Sequence, residues 1–99
     1  MGIIEKMRLD GKKGFVTGGA RGIGKSVALA LCEAGADIAV VDMDLEEAEK
    51  TAQWLSKETG RDCFAIRTDV TDQPDVNRMI DRILEAYGRI DIAFCNAGI

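Results

Sequence analysis

The sequence predicts an α/β fold, in which helices cover both faces of a parallel sheet. Four apolar runs of strand length alternate with three segments whose apolar residues recur every three to four positions, in the order β-α-β-α-β-α-β. The helical segments are long enough to serve as crossovers, and this alternation is typical of a parallel sheet. Because such crossovers are right-handed, the expected strand order is 3-2-1-4, with the switch point between the first and fourth strands.

The strands are predicted from short apolar runs that turn residues bound. The second run (D-I-A-V-V-D) is nearly continuous, as expected for a strand covered on both faces. The first run contains Gly14, which we expect to weaken the strand by about 0.5–1 kcal/mol relative to alanine. The predicted strands are residues 13–17, 37–42, 63–68 and 90–95.

The helices are predicted from one apolar face each, and a glycine suited to C-terminal capping follows each of them. Acidic residues open the second helix and complement its dipole, and Pro74 falls in the first turn of the third. The predicted helices are residues 22–34, 45–59 and about 74–87. Their predicted buried residues are Ile23, Val27, Ala30, Leu31 and Ala34; Leu45, Ala48, Ala52 and Leu55; and Val76, Ile80, Ile83 and Tyr87.

Composition argues against several classes of partner. The 99 residues suffice for one domain or part of one, and the net charge of 13 − 17 = −4 with no basic run argues against nucleic acid. No apolar stretch approaches the roughly 20 residues that cross a bilayer, so no membrane partner is expected. Histidine, the commonest metal ligand, is absent, and no metal site is predicted. Cys32, Cys63 and Cys95 form no C-x-x-C pair, which indicates reduced thiols that pack as small hydrophobic side chains in a cytoplasmic protein.

A glycine-rich turn, T-G-G-A-R-G-I-G at residues 17–24, follows the first strand and opens the first helix. A helix N-terminus presents free N–H groups and a partial positive charge, so a pyrophosphate fits there. Gly18 allows a tight exit from the strand, Gly22 lets phosphates approach the backbone, and Gly24 lets the helix pack closely. The alternative is that these glycines only form a turn in a loop and bind no ligand, since glycine-rich motifs match many proteins that bind no nucleotide.

An acidic residue, Asp42, ends the second strand, 42 − 18 = 24 residues after Gly18. In Rossmann-type folds, an acid near this spacing accepts hydrogen bonds from the adenosine ribose hydroxyls of a dinucleotide. Asp42 could instead be a solvated acid at a strand end, or the N-cap of the helix that begins near Asp44. The context favours a Rossmann-type dinucleotide-binding fold.

Three segments together resemble motifs of the classical short-chain dehydrogenases/reductases, over essentially the whole chain. They are T-G-x-x-x-G-x-G at residues 17–24, T-D-V-T at 68–71 and N-A-G at 96–98. The resemblance implies that Asp69 and Val70 flank an adenine ring, and that the N-A-G segment supports the sheet and borders the cofactor. Alternatively, Asp69 belongs to a helix-capping turn and Asn96 is a structural hydrogen-bond hub. The predicted cofactor-binding residues are Gly18, Arg21, Gly22, Ile23, Gly24, Asp42, Asp69, Val70, Asn96, Ala97 and Gly98.

Two of these residues point to different nicotinamide cofactors. In relatives of this family, a basic residue at the position of Arg21 often accompanies the 2′-phosphate of NADP. Asp42 would instead bind the free 2′-hydroxyl of NAD and repel a phosphate, since two like charges about 4 Å apart at a protein surface cost on the order of 4 kcal/mol before screening. Met43 supplies no compensating cation. The expected cofactor is therefore NAD, with NADP disfavoured by Asp42.

The family's catalytic residues are a Tyr-x-x-x-Lys pair, a preceding serine and an asparagine on a later helix, all beyond the N-A-G motif. The one tyrosine, Tyr87, has Asp91 rather than lysine four positions on, and it lies on a predicted apolar helix face. No catalytic residue is therefore predicted, and Tyr87 is expected to be a core residue. Residues 1–99 are expected to be the N-terminal dinucleotide-binding half of a Rossmann domain, truncated after the fourth strand, with the catalytic half absent.

The resemblance implies an oxidoreductase that interconverts a secondary alcohol and a carbonyl compound by hydride transfer. Truncation would expose the apolar edge of the fourth strand, which predicts self-association into homo-oligomers. Two alternatives remain, a stand-alone nucleotide-binding or regulatory module without turnover and a methyltransferase, which also follows a strand with a glycine turn and an acid. A Tyr-x-x-x-Lys further along the encoding DNA would distinguish the enzyme from the module. Comparing the binding of NADH and S-adenosylmethionine would test the methyltransferase.

Overall fold

The computed structural model of the chain describes residues 8–96. All strand pairs are parallel and the spatial order is β3-β2-β1-β4, so the predicted α/β class and Rossmann-type strand order are confirmed. Each element begins and ends within two residues of its predicted bounds. Among the described residues, no helix is both long and apolar enough to span a bilayer. The elements are β1 (Lys13–Thr17), α1 (Gly22–Glu33), β2 (Asp37–Asp42), α2 (Leu45–Thr59), β3 (Phe64–Arg67), α3 (Gln73–Tyr87) and β4 (Ile92–Cys95).

Two apolar cores lie on the two faces of the sheet, because successive side chains of a strand point to opposite faces. On one face, Val16 and Ile38 pack with side chains of α1 and α2. On the other face, Phe15, Ala39 and Val41 pack with side chains of α3. Helices therefore cover both faces of the sheet, as predicted.

The predicted buried face of α1 is wrong in part. The helix buries Gly24, Ala28 and Cys32, whereas Ala30 is exposed and Ile23 is 70% exposed. Apolar residues at helical spacing define a face only to within a broad arc. The small residues Gly24 and Ala28 decide the orientation, since they let the helix approach its neighbours closely.

The buried faces of α2 and α3 agree better with prediction. In α2, Ala48, Ala52 and Leu55 are buried as predicted, but Leu45 in the first turn is 41% exposed and Thr51 is buried. Thr51 reaches the core because its hydroxyl has a hydrogen-bond partner there. In α3, the buried or partly buried apolar side chains are Val76, Met79, Ile80, Ile83 and Tyr87.

Gly14 has a structural role that its expected weakening effect on β1 did not reveal. Gly14 lies opposite Ile92 in the parallel pairing of β1 and β4. A Cβ at Gly14 would overlap the carbonyl oxygen and the Cβ of Ile92. Glycine is therefore the residue that allows these two strands to pair at this distance.

A polar network ties together the amino ends of β1, β2 and β3. Asp37 forms an ion pair with Lys13 and accepts a hydrogen bond from Asp62 N at 2.8 Å. Burial by itself would raise the pKa of Asp37, but the hydrogen bonds from Lys13 and Asp62 outweigh it and hold the pKa below its usual value.

The strand β3 begins at Phe64, one residue later than predicted. The preceding residue, Cys63, donates its N–H to Ser56 Oγ at 3.2 Å.

The three cysteines differ in exposure. Cys32 is buried as expected and Cys63 is half-buried, but the expectation is wrong for Cys95, which is exposed at the end of β4. β4 lies at the edge of the sheet, and a groove of about 300 Å³ separates it from α3. The side chain of Cys95 lines this groove together with Met79 and Ile80.

Candidate functional site

The glycine turn (residues 17–24) lies at the edge of the sheet where the carboxyl ends of the strands meet. Gly18 and Gly22 have φ angles of +64° and +61°, a left-handed conformation that glycine adopts without strain. Gly19 N donates to Val41 O at 3.1 Å, which fastens the turn to the end of β2. The turn therefore sits beside the switch point between β1 and β4, where ligands bind in open α/β sheets.

The other two predicted glycine roles concern space. A Cβ at Gly24 would overlap the carbonyl oxygen of Gly18, so this glycine lets α1 pack directly against the turn. Within residues 8–96, a Cβ at Gly22 would meet no atom within 4 Å, so the residue faces open space there, as a phosphate-binding position requires. The glycine turn can therefore receive a ligand along its open side.

The N-terminus of α1 has the properties of an anion site. Arg21 is the N-cap residue, its side chain makes no capping hydrogen bond, and the first turn contains no acidic residue. The first N–H groups of a helix have no intrahelical partner, and the helix dipole adds partial positive charge. The exposed Ile23 lies in this first turn. These N–H groups can therefore bind a pyrophosphate.

Two side-chain contacts from α2 hold the glycine turn and α1. The buried hydroxyl of Thr51 donates to Ala20 O at 2.7 Å. The ammonium group of Lys25 lies 4.6 Å from the ring centroid of Trp54. The hydrogen bond from Thr51 to Ala20 was not predicted, although a threonine three residues after Ala48 on a buried helix face is a signal that could have indicated it.

Asp42 lies beside the glycine turn, as the sequence predicted. Its Oδ2 accepts from Ala20 N at 3.2 Å and its Oδ1 accepts from Asp44 N at 3.1 Å. An ionised carboxylate has about four lone-pair sites, so it can accept further hydrogen bonds from ribose hydroxyls. Asp42 is not the N-cap of α2: that residue is Asp44, whose Oδ1 accepts from Glu47 N at 3.2 Å.

Arg21, the N-cap residue of α1, forms an ion pair with Asp44, the N-cap residue of α2. Arg21 Nη2 lies 2.8 Å from Asp44 Oδ2, and both side chains are largely exposed. The basic residue that the sequence associated with a 2′-phosphate is thus already partnered by an acid. With Asp42, the local formal charge of these three side chains is −1.

The segment after β3 places Asp69 and Val70 near Asp42. Thr68 N donates to Asp42 O at 3.1 Å. Asp69 accepts from Thr71 N at 2.9 Å and from Thr71 Oγ1 at 2.6 Å, and these hydrogen bonds hold the pKa of Asp69 below its usual value. Asp69 therefore lies in a turn that leads directly into α3, whose N-cap residue is Asp72.

Asn96 ends the described part of the chain beside the glycine turn. Its N–H donates to Thr17 Oγ1 at 2.9 Å, which joins the carboxyl ends of β1 and β4. Thr17, only 4% exposed, was not among the predicted site residues, and its signal was its place as a polar residue ending a buried strand. Ala97 and Gly98 lie outside the described residues.

A parallel sheet of order 3-2-1-4, a glycine turn leading into a helix N-terminus, and an acid at the end of β2 define a Rossmann-like nucleotide-binding protein. Residues 12–99 match the family described as short chain dehydrogenase. The chain belongs to this family of oxidoreductases, which bind nicotinamide cofactors. Membership excludes the methyltransferase alternative.

Among curated relatives, the chain is 44% identical to a sorbitol dehydrogenase of Cereibacter sphaeroides over 93 residues, which are 94% of this chain and 35% of the relative. It is 40% identical to a cyclohexanol dehydrogenase of Rhodococcus sp. (strain TK6), over 97% of this chain and 40% of that protein. The chain thus spans little more than a third of the length of the relatives it matches.

Solved structures agree with the fold and differ in cofactor. A short-chain type dehydrogenase/reductase from Mycobacterium marinum superposes with a TM-score of 0.92 at 40% identity, covering 100% of this chain and 40% of that one. An NAD⁺-bound xylitol dehydrogenase has a TM-score of 0.86 at 37% identity (91% and 34% covered). An NADPH-dependent 3-quinuclidinone reductase from Rhodotorula rubra has a TM-score of 0.87 at 28% identity (93% and 35% covered).

Proposed function

We propose that this chain is the NAD(H)-binding part of an oxidoreductase that interconverts a secondary alcohol and a carbonyl compound by hydride transfer. The observation that carries the proposal is the position of Asp42, which accepts a hydrogen bond from the glycine turn at the carboxyl edge of the sheet. An acid in this place binds the ribose of a dinucleotide whose pyrophosphate lies at the helix N-terminus. The nicotinamide supplies the hydride chemistry when the cofactor is bound.

The remaining residues are assigned by their places around this edge. Arg21 and Ile23 flank the glycines at the N-terminus of α1, where the pyrophosphate would bind. Asp69 and Val70 follow β3 and would border the adenine, and Asn96 would lie near the nicotinamide side of the switch point. The proposed cofactor-binding residues are Gly18, Arg21, Gly22, Ile23, Gly24, Asp42, Asp69, Val70, Asn96, Ala97 and Gly98.

The choice of NAD over NADP rests on charge. A 2′-phosphate would meet the carboxylates of Asp42 and Asp44, and the nearby Arg21 is already paired with Asp44. A free 2′-hydroxyl meets no such repulsion and can donate to Asp42. The net negative charge therefore supports NAD.

The residues that act on substrate are proposed to lie outside these 99. Tyr87 is not suited to that role, because its hydroxyl donates to Asp62 O at 2.6 Å, next to the amino end of β3 and opposite the glycine turn. Burial, with the nearby carboxylates and thiols, raises the pKa of Tyr87. A tyrosine that exchanges protons with a substrate near neutral pH needs the opposite shift.

The test is a fluorescence titration of NADH and NADPH with the parent protein and the Asp42→Asn variant. We expect the parent to bind NADH more tightly, and the variant to shift the ratio of the two dissociation constants roughly tenfold or more towards NADPH, about 1.4 kcal/mol. Asp81→Asn removes the same charge from the exposed side of α3 and should leave the ratio unchanged. Tighter binding of NADPH by the parent, or equal ratios in the two variants, would show the assignment to be wrong.

A further inference from the structure

Cys32 and Cys63 come together although 31 residues separate them in the chain. Cys32 lies in the last turn of α1 and Cys63 immediately precedes β3, and their Sγ atoms are 3.4 Å apart. Both are free thiols. The contact lies at the amino edge of the sheet, opposite the glycine turn, so the cofactor site does not use it.

Backbone hydrogen bonds hold the segment that carries Cys63. Cys63 N donates to Ser56 Oγ at 3.2 Å, and Cys63 O accepts from the same hydroxyl at 3.4 Å. The preceding residue, Asp62, donates its N–H to Asp37 and accepts at its carbonyl from Tyr87. The sulfur of Cys63 is therefore placed by the fold of the segment.

Cys32 is placed by packing. Its residue is 2% exposed and belongs to the core that α1 and α2 form on one face of the sheet. A side chain in such a core keeps to a single well-packed position. The sulfur–sulfur contact is therefore a feature of the folded chain.

We propose that Cys32 and Cys63 are a thiol-oxidation site, which a hydroperoxide converts into an intrachain disulfide. A disulfide bond is about 2.05 Å long, so the sulfurs must approach one another by roughly 1.4 Å. The crosslink would join the end of α1 to the start of β3.

Cys63 is the thiol that reacts first. It is the more accessible of the two, and it lines an open groove of about 560 Å³ between α2 and β3 that a small peroxide can enter. The hydrogen bond from Cys32 stabilises the Cys63 thiolate and is the main cause that lowers the pKa of Cys63. The same contact raises the pKa of Cys32, which remains a thiol. Thiolates, rather than thiols, attack peroxides.

The proposed reaction has two balanced steps. The Cys63 thiolate attacks one oxygen of the hydroperoxide, an S–O bond forms, the O–O bond breaks, and the departing oxygen takes up a proton to leave as an alcohol or water. The Cys32 sulfur then attacks the sulfenic acid of Cys63. The S–S bond forms, the S–O bond breaks, and the hydroxide leaves as water with the proton of Cys32. Two thiols and one hydroperoxide thus yield one disulfide, one alcohol or water, and one further water.

The test treats the reduced, intact chain with hydrogen peroxide, then alkylates the remaining thiols under denaturing conditions and maps tryptic peptides without reduction. Trypsin separates the three cysteines into peptides 26–50, 62–67 and 90–99. We expect two of the three thiols to become unavailable to alkylation, the monomer to lose two hydrogen atoms in mass, and peptides 26–50 and 62–67 to be crosslinked. Dithiothreitol should restore all three thiols.

Single substitutions separate this site from general thiol oxidation. Cys95→Ser should form the same crosslink, since Cys95 is exposed on the far edge of the sheet. Cys32→Ser should form none and should leave a Cys63 sulfenic acid that dimedone traps. The proposal is overturned if peroxide oxidises Cys95 while peptides 26–50 and 62–67 stay unlinked, or if the crosslinks join separate chains. Should Cys32→Ser fail to fold, the parent and Cys95→Ser peptide maps still decide between these outcomes.

Discussion

Two buried threonines allow a matched test of what holds the glycine turn. Thr51 is 3% exposed and its hydroxyl donates to Ala20 O at 2.7 Å. Thr68 is 1% exposed, and its Oγ1 has no hydrogen-bond partner among the described residues. Valine has nearly the same shape as threonine and lacks the hydroxyl. The same substitution at the two positions therefore removes a bonded hydroxyl in one case and an unbonded hydroxyl in the other.

The two substitutions should change the free energy of unfolding in opposite directions. Thr51→Val removes a hydrogen bond of net value about 1 kcal/mol and leaves the buried Ala20 carbonyl unsatisfied, a penalty of about 1–3 kcal/mol, so we expect a loss of about 2 kcal/mol. Helix propensity does not affect this comparison, because valine and threonine have similar helix propensities. Thr68→Val removes a buried hydroxyl that no partner compensates, so we expect a gain of about 1 kcal/mol.

Urea unfolding followed by circular dichroism measures both variants against the parent protein. The two variants should differ by about 3 kcal/mol in their free energy of unfolding. In a thermal melt of a domain of this size, that difference would separate their melting temperatures by more than about 10 °C. If Thr51→Val destabilises the protein no more than Thr68→Val does, the hydrogen bond from α2 does not hold the glycine turn.

Two further predictions concern the glycine turn and the amino edge of the sheet. Gly24→Ala places a Cβ against the Gly18 carbonyl, so it should destabilise the protein by about 1–3 kcal/mol and weaken NADH binding. As a control, Gly60→Ala at the C-terminal end of α2, where a Cβ meets no described atom, should leave the NADH dissociation constant unchanged. Equal NADH affinities of Gly24→Ala and the parent would contradict this. Asp37 has a lowered pKa in the folded state, so its stabilising contribution is present above its unfolded pKa of about 3.9 and is lost as the pH falls through the folded pKa. Acid unfolding of Asp37→Asn should accordingly show a shallower loss of stability below about pH 4, by at most about 1.4 kcal/mol per pH unit, and parallel curves for variant and parent would refute the role of this carboxylate.

The outline of the fold could be predicted from local sequence. The nearly continuous apolar run of β2, the capping glycines after the helices and the alternation of the two periods predict the elements and their order. The right-handedness of the crossovers then predicts the strand order β3-β2-β1-β4, which the structure confirms. Since the carboxyl ends of parallel strands share one edge, the glycine turn and Asp42 could be placed together without coordinates.

The candidate site was predicted less completely, because several of its supports join distant residues. The hydroxyl of Thr51 meets Ala20 O across 31 positions, and Asn96 N meets Thr17 Oγ1 across 79. Neither contact has a local pattern that specifies its partner. The pairing of Arg21 with Asp44 likewise depends on how the end of β2 turns into α2, and no local pattern specifies it.

By itself, then, the sequence determined the class of fold, which follows from local periodicity, turn chemistry and chain order, and its three motifs indicated the family. It also placed the glycine turn and Asp42 at the same edge of the sheet. Only the tertiary structure decided which face α1 buries, why Gly14 stands opposite Ile92, and that the Sγ atoms of Cys32 and Cys63 lie 3.4 Å apart. These features depend on the register between strands and on the close packing of side chains from separate elements. Both are properties of the folded chain as a whole.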